Sequence, residues 1–182
     1  MRLLGSSRPA MLAALVSAVL LVAAAAAFAN TFGDPWNESN FQRYWYEDAS
    51  LNSVWQSDLD IVRNQTINPT HMYTETRNLH DNSDVAAYLR DLGSNGPVGD
   101  TNCIDLAGSI CRHWHVRFNS AYSYTPTSRK HIGCHEFGHT LGLHHYADDH
   151  VTNSCMKEAS SWDFSVHDVN HINGYYANNP NG

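Results

Sequence analysis

Eleven residues constrain this chain more than any other stretch: His135-Glu136-Phe137-Gly138-His139-Thr140-Leu141-Gly142-Leu143-His144-His145. Two histidines four apart on a helix lie on one face, about one turn from each other. Both imidazoles can then reach a single ion, and Glu136 stands beside that ion without having to bind it. Gly142 permits the helix to break, because glycine tolerates backbone angles that other residues resist. His145 then returns as a third ligand, and the register His139-x-x-Gly142-x-x-His145 selects it over its neighbour His144. Three protein nitrogens and one open position form the pattern of a catalytic rather than a structural zinc. The competing reading is a histidine-rich helix packed in a core. Buried imidazoles need polar partners, and a structural site has no use for a glutamate beside its first ligand.

The chemistry expected of such a site comes from the residue types. Neutral imidazoles bind zinc at about 2.0–2.1 Å, and the ion lowers the pKa of a bound water to roughly 7. Glu136 is placed to take that proton as general base and return it to a leaving amine. The zinc would polarise the carbonyl under attack. No covalent intermediate is required.

The 182 residues leave room for one domain of ordinary size. Arg2 and Arg8 give a positive start, residues 10–29 carry no charge, and the stretch ends Ala27-Phe28-Ala29. This predicts a signal peptide over residues 1–29 and a mature chain from Asn30. An uncleaved anchor is the alternative, since about twenty apolar residues just span a bilayer. Without the two arginines, 9 basic and 18 acidic residues remain, a net charge of −9 with histidines neutral. That charge argues against nucleic acid or anionic lipid as partners. Cys103, Cys111, Cys134 and Cys155 are even in number, which behind a signal peptide reads as two disulfides. Their three pairings stay open at this point. Free buried thiols are the alternative, and a cysteine zinc site is disfavoured because no CxxC spacing occurs.

Along the chain, residues 30–40 are turn-rich and read as an irregular lead-in. Residues 41–46 are aromatic and suit a strand. Leu51, Val54, Trp55, Leu59 and Val62 recur at helical spacing and predict a helix over 51–63, ended by Asn68-Pro69. Residues 71–77 read as a second strand. Residues 85–92 fit helix or strand, with strand favoured, before a glycine-rich loop over 93–99. A short strand is expected around 103–106 and another over 115–119, where His113 and His115 would share a face and hold a second metal or, the simpler reading, face solvent or cleft. A helix is expected from Ser128 to Leu141, an irregular stretch over 146–161, and a last helix over 166–176. The order suggests an α+β domain with its helices packed on one sheet.

The eleven residues resemble those of the metzincin zinc endopeptidases, and within them the matrixin-like, secreted bacterial members. A second match is Met156, eleven residues past His145, which fits the family's Met-turn beneath the metal. A third is Asp168-Val169-Asn170-His171-Ile172-Asn173-Gly174-Tyr175-Tyr176, similar to the Asp-containing C-terminal helix of matrixins. The resemblance is sharp over residues 129–176 and is only a compatible order of elements over 41–119.

The resemblance implies a twisted mixed sheet of about five strands, an active-site helix between an N-terminal and a C-terminal helix, and a catalytic domain over residues 30–182. It implies His135, His139 and His145 as ligands of one catalytic zinc and Glu136 as the base. A Met-turn under the zinc would also bring Cys155 near Cys134, which favours Cys134–Cys155 and Cys103–Cys111 over the other pairings. Two features depart from the family. Glu158 stands where some metzincins have a tyrosine, and no segment carrying a blocking cysteine fits between Asn30 and the first strand.

Calcium would find hard ligands at Asp148, Asp149 and His150, though an acidic surface loop is the simpler reading. The expected substrate is protein or peptide, bound extended against a sheet edge near residues 98–106. The protein is expected to be secreted and monomeric, with no stable membrane association once the signal is cut. Two other functions remain compatible: an exported metal-binding domain without catalysis, and a zinc amidase acting on cell-wall peptide.

Overall fold

The computed structural model describes residues 35–145, 153–157 and 161–177. The expected signal segment over 1–29 lies outside them, as do Asp148, Asp149, His150 and Glu158. Six strands of the described residues form one sheet: β1 (Trp36–Asn37), β2 (Phe41–Tyr46), β3 (Tyr73–Arg77), β4 (Val85–Arg90), β5 (Gly99–Ala107) and β6 (Ile110–Asn119). Among the described residues three α-helices accompany them: α1 (Ser53–Val62), α2 (Pro126–Thr140) and α3 (Val166–Tyr176).

The sheet is mostly parallel. Strand β2 pairs β3 on one side and β4 on the other, and β4 pairs β6 from Val85↔Trp114 to Arg90↔Asn119. Strand β5 is the exception. It runs antiparallel along β6, from Gly99↔Phe118 to Ala107↔Ile110, and pairs no other strand among the described residues. It is therefore an edge. Because β5 occupies one side of β6, the short β1 shares the other side with β4, at Ile110 and Cys111.

The sequence predicted about five strands and an irregular lead-in. Strand β1 is the difference. It is two residues long and exists only through pairing with residues more than seventy positions away, so no local alternation announces it.

Local signals explain the helix starts. The Asn52 side chain accepts from the amides of Val54 and Trp55 and caps α1. Helix α1 then runs on into a π-helical turn, Arg63–Ile67. Helix α2 begins before Ser128 because the Thr125 side chain accepts from the Ser128 amide and Pro126 fills the first turn, where its missing N–H leaves no orphan. Helix α3 opens on a reciprocal capping box between Ser165 and Asp168.

Helices α1 and α2 cover one face of the sheet. On β6, Trp114, Val116 and Phe118 are buried toward them, with Phe118 stacked 5.0 Å from Trp55 of α1 and edge-on to Phe137 of α2 at 6.4 Å. Tyr44 of β2 meets Phe137 edge-on at 4.7 Å. Two charged groups tie the layers together inside this core. Arg63 is nearly buried and donates to the Tyr46 hydroxyl, Thr74 and Asp60. Arg129 of α2 donates to Asp58 of α1 at 2.6 Å, and both side chains are almost wholly shielded.

A buried charge that loses its partner is costly, about 3–5 kcal/mol. Asp58→Ala is therefore expected to lower unfolding free energy by about that amount, read as a shift in urea midpoint at unchanged slope.

Candidate metal centre

The second half of α2 carries His135, Glu136 and His139, and it is buried on nearly every side: Ile132, Cys134, Glu136, Phe137 and Thr140 are all buried. Hydrogen bonds at the end of the helix fix the path of the chain beyond it. The Leu143 amide donates to the Gly138 carbonyl at 3.1 Å and the Gly142 amide to the His139 carbonyl at 3.0 Å. These are the paired bonds that end a helix on a left-handed residue, and Gly142 takes φ of +83°. Any side chain there would also strike the Trp36 indole, since a Cβ would lie 2.7 Å from it. Buried Gln42 of β2 donates to the Thr140 carbonyl at 3.0 Å and accepts from the Tyr44 hydroxyl at 2.7 Å. The helix thus stops at a defined residue and the chain turns back.

That turn brings His145 onto His135 and His139. The His145 Nε2 lies 2.8 Å from His135 Nε2 and 3.2 Å from His139 Nε2. His135 Nδ1 donates to the Cys155 carbonyl at 2.7 Å, and His139 Nδ1 to the Leu143 carbonyl at 2.8 Å. A neutral imidazole has a single N–H, so in both rings Nε2 is a lone pair. Burial, above all, and then the neighbouring imidazoles push His135 down to about 4, which keeps its ring neutral near pH 7. His145 can donate to one of the two nitrogens at most. Without a cation between them, at least two lone pairs oppose each other.

The donor set fits a zinc ion. Nitrogen ligands of a tetrahedral zinc stand about 3.3 Å apart, and imidazoles that bind it usually donate their other N–H to an oxygen. His144 is not brought to this point; His145 is.

Beneath α2 lies the segment around Met156. Met156 is buried, and a Cβ on residue 138 would run into its sulfur, so Gly138 is what lets the two approach. Cys155 is bonded to Cys134, next to His135, while its carbonyl holds the His135 ring. Cys103 is bonded to Cys111 across β5 and β6. The Ser154 hydroxyl donates to Asp168 at 2.7 Å and accepts from the Met156 amide at 3.0 Å. Asp168, fully buried, also accepts from the Ser165 amide and hydroxyl at the start of α3.

Glu136 lies about 100° round the helix from His135 and turns toward the edge strand β5. The Thr101 hydroxyl is within hydrogen-bond reach of both its carboxylate, at 2.7 Å, and its backbone carbonyl, at 3.0 Å. Gly99 leaves space for the same carboxylate, since a Cβ there would sit 2.7 Å from Glu136 Oε1. Gly99 and Thr101 fall in the stretch expected as a substrate edge, but their contact with Glu136 was not legible, because each meets it from more than thirty positions away. The expected calcium ligands at 148–150 fall outside the described residues.

No protein-family model matches this chain, and no curated protein sequence does. Among solved structures, the crystal structure of archaemetzincin from Methanopyrus kandleri aligns with a TM-score of 0.49 at 13% identity, covering 74% of this chain and 95% of that one. Among the described residues no helix is long and apolar enough to cross a membrane.

The Cys134–Cys155 bridge closes a loop of 21 residues. Replacing both cysteines by alanine is expected to cost about 3 kcal/mol in the chain-entropy account, measured by urea unfolding without reductant.

Proposed function

We propose that this chain is a secreted zinc-dependent endopeptidase of the metzincin type. The observation that carries the reading is the convergence of the His135, His139 and His145 Nε2 atoms beside a glutamate that faces the sheet edge. His135, His139 and His145 would hold the ion. When bound, zinc would supply an acidified water and a Lewis acid for the carbonyl under attack.

The protein's own residues supply the rest. Glu136 accepts the proton of the attacking water and delivers it to the departing amine. The Thr101 hydroxyl hydrogen-bonds its carboxylate, and Gly99, lacking a side chain, leaves room for it against β5. Strand β5 offers an extended substrate an edge that no described strand pairs, so a peptide can add to the sheet by main-chain hydrogen bonds and lie across Glu136. Ile104 and Leu106 are exposed on that strand and would give the peptide apolar contacts. Met156 and the Cys134–Cys155 bridge form a rigid floor. Two disulfides and the apolar N-terminal stretch support export, and the acidic balance supports a protein or peptide substrate rather than nucleic acid. Monomeric action needs no residue from a second copy.

The test is cleavage of casein and a peptide library, with and without chelator. Wild type is expected to cleave, chelator to abolish cleavage, and Glu136→Ala to keep its zinc while losing turnover by orders of magnitude. Intact casein beside hydrolysed cell-wall peptide would move the reading to an amidase. Zinc uptake with no hydrolysis would leave a binding domain. A subtler outcome is expected at Gly99→Ala: the added methyl displaces the Glu136 carboxylate, so kcat falls about 100-fold while zinc content and KM stay near wild type.

A further inference from the structure

A second group of imidazoles lies on the other face of the sheet. On β6, Trp114, Val116 and Phe118 turn toward the helices, so the alternation of the strand sends His113 and His115 the opposite way. Strand β4 adds Tyr88 on that face, and β2 adds Trp45. A 3-10 turn, His80–Asn82, connects β3 to β4 and folds His80 over them. The His80 and His113 rings are 5.1 Å apart, His113 and His115 5.2 Å, and His80 and His115 6.1 Å. One ring nitrogen from each lies within 4.8 Å of the other two.

The hydrogen bonds decide what these nitrogens are. His113 Nδ1 donates to the Ser83 carbonyl at 2.8 Å. Its Nε2 is then a lone pair, buried and without a hydrogen-bond partner. His80 Nε2 and His115 Nε2 flank the Tyr88 hydroxyl at 3.1 and 3.4 Å, and His80 Nδ1 lies 3.4 Å from the Asp81 carboxylate. Tyr88 can satisfy its two neighbours, giving its proton to one and accepting from the other. Nothing among the described residues satisfies His113. A plain aromatic box built with Trp45 would leave that buried acceptor bare, which is unfavourable. A cation at the centre engages all three rings. Two of them already donate or aim their other nitrogen at an oxygen, as metal-bound imidazoles do.

We propose that His80, His113 and His115 form a second transition-metal site, separate from the centre on α2, with the Tyr88 hydroxyl closing its fourth side. Three imidazoles without thiolate suit zinc first, and copper(II) or nickel(II) as well; calcium and magnesium want oxygen. The site is structural. It pins the β3–β4 turn to β6, the strand from which the edge strand β5 hangs. The assignment does not depend on the proposed peptidase activity.

The test counts zinc per chain after loading and desalting, in wild type, in His80→Gln/His115→Gln, in His135→Gln/His139→Gln, and in all four substitutions together. The expected counts are two, one, one and none. Cobalt(II) added to His135→Gln/His139→Gln is expected to give visible absorption that the fourfold variant lacks, and zinc is expected to raise the melting temperature of the former only. A folded His135→Gln/His139→Gln protein that takes up neither metal overturns the proposal. If that variant does not fold, His80→Gln decides: loss of one zinc relative to wild type supports the site, and an unchanged count overturns it.

Discussion

The pair of hydrogen bonds that closes α2 at Gly142 decides where His145 arrives. The same turn returns the Leu143 carbonyl to His139 Nδ1, so one backbone device both orients the second histidine and delivers the third. It works because the neighbouring groups leave no alternative. Gln42 occupies the Thr140 carbonyl, and the Trp36 indole lies where a residue-142 side chain would have to go. A helix continued by one more turn would carry the chain away from His135.

The first histidine is held from the other side. Cys155 gives it a carbonyl and, through its sulfur, a covalent tie to the residue before it. Ser154 and Asp168 then lock that segment to the start of α3, where the helix N-terminus favours a negative charge. Each imidazole near α2 is thus fixed through its far nitrogen to a backbone carbonyl or by the turn that carries it. The protein holds the lone pairs together against their own repulsion, which is what a preorganised cation site requires.

Much of this was readable from neighbouring residues. The stretch from His135 to His145 carries its periodicity and its breaker within eleven positions, and α3 shows its apolar face in the spacing of Val169, Ile172 and Tyr176. Helix α2 starts earlier than its apolar spacing suggests because Thr125-Pro126 is a stronger signal than the hydrophobic pattern. Strand β1 was not readable, since its pairing exists only in three dimensions. Gly99 and Thr101 sit in what reads as loop and weak strand, and nothing local ties them to Glu136. His80 is hidden for the same reason: it stands alone in a turn, and only the crossover from β4 to β6 brings His113 and His115 beneath it.

Strand β1 and helix α3 come from opposite ends of the described chain, yet they meet. Trp36 stacks on Tyr175 at 3.7 Å and nearly parallel, and the Asn37 amide donates to the Tyr176 hydroxyl at 3.2 Å. That same indole backs Gly142. A chain emerging N-terminus first therefore carries Trp36, His135, His139 and His145 before it has Tyr175 and Tyr176, the rings that pack on that indole. The backing of that turn is therefore complete only once both ends of the described chain have met.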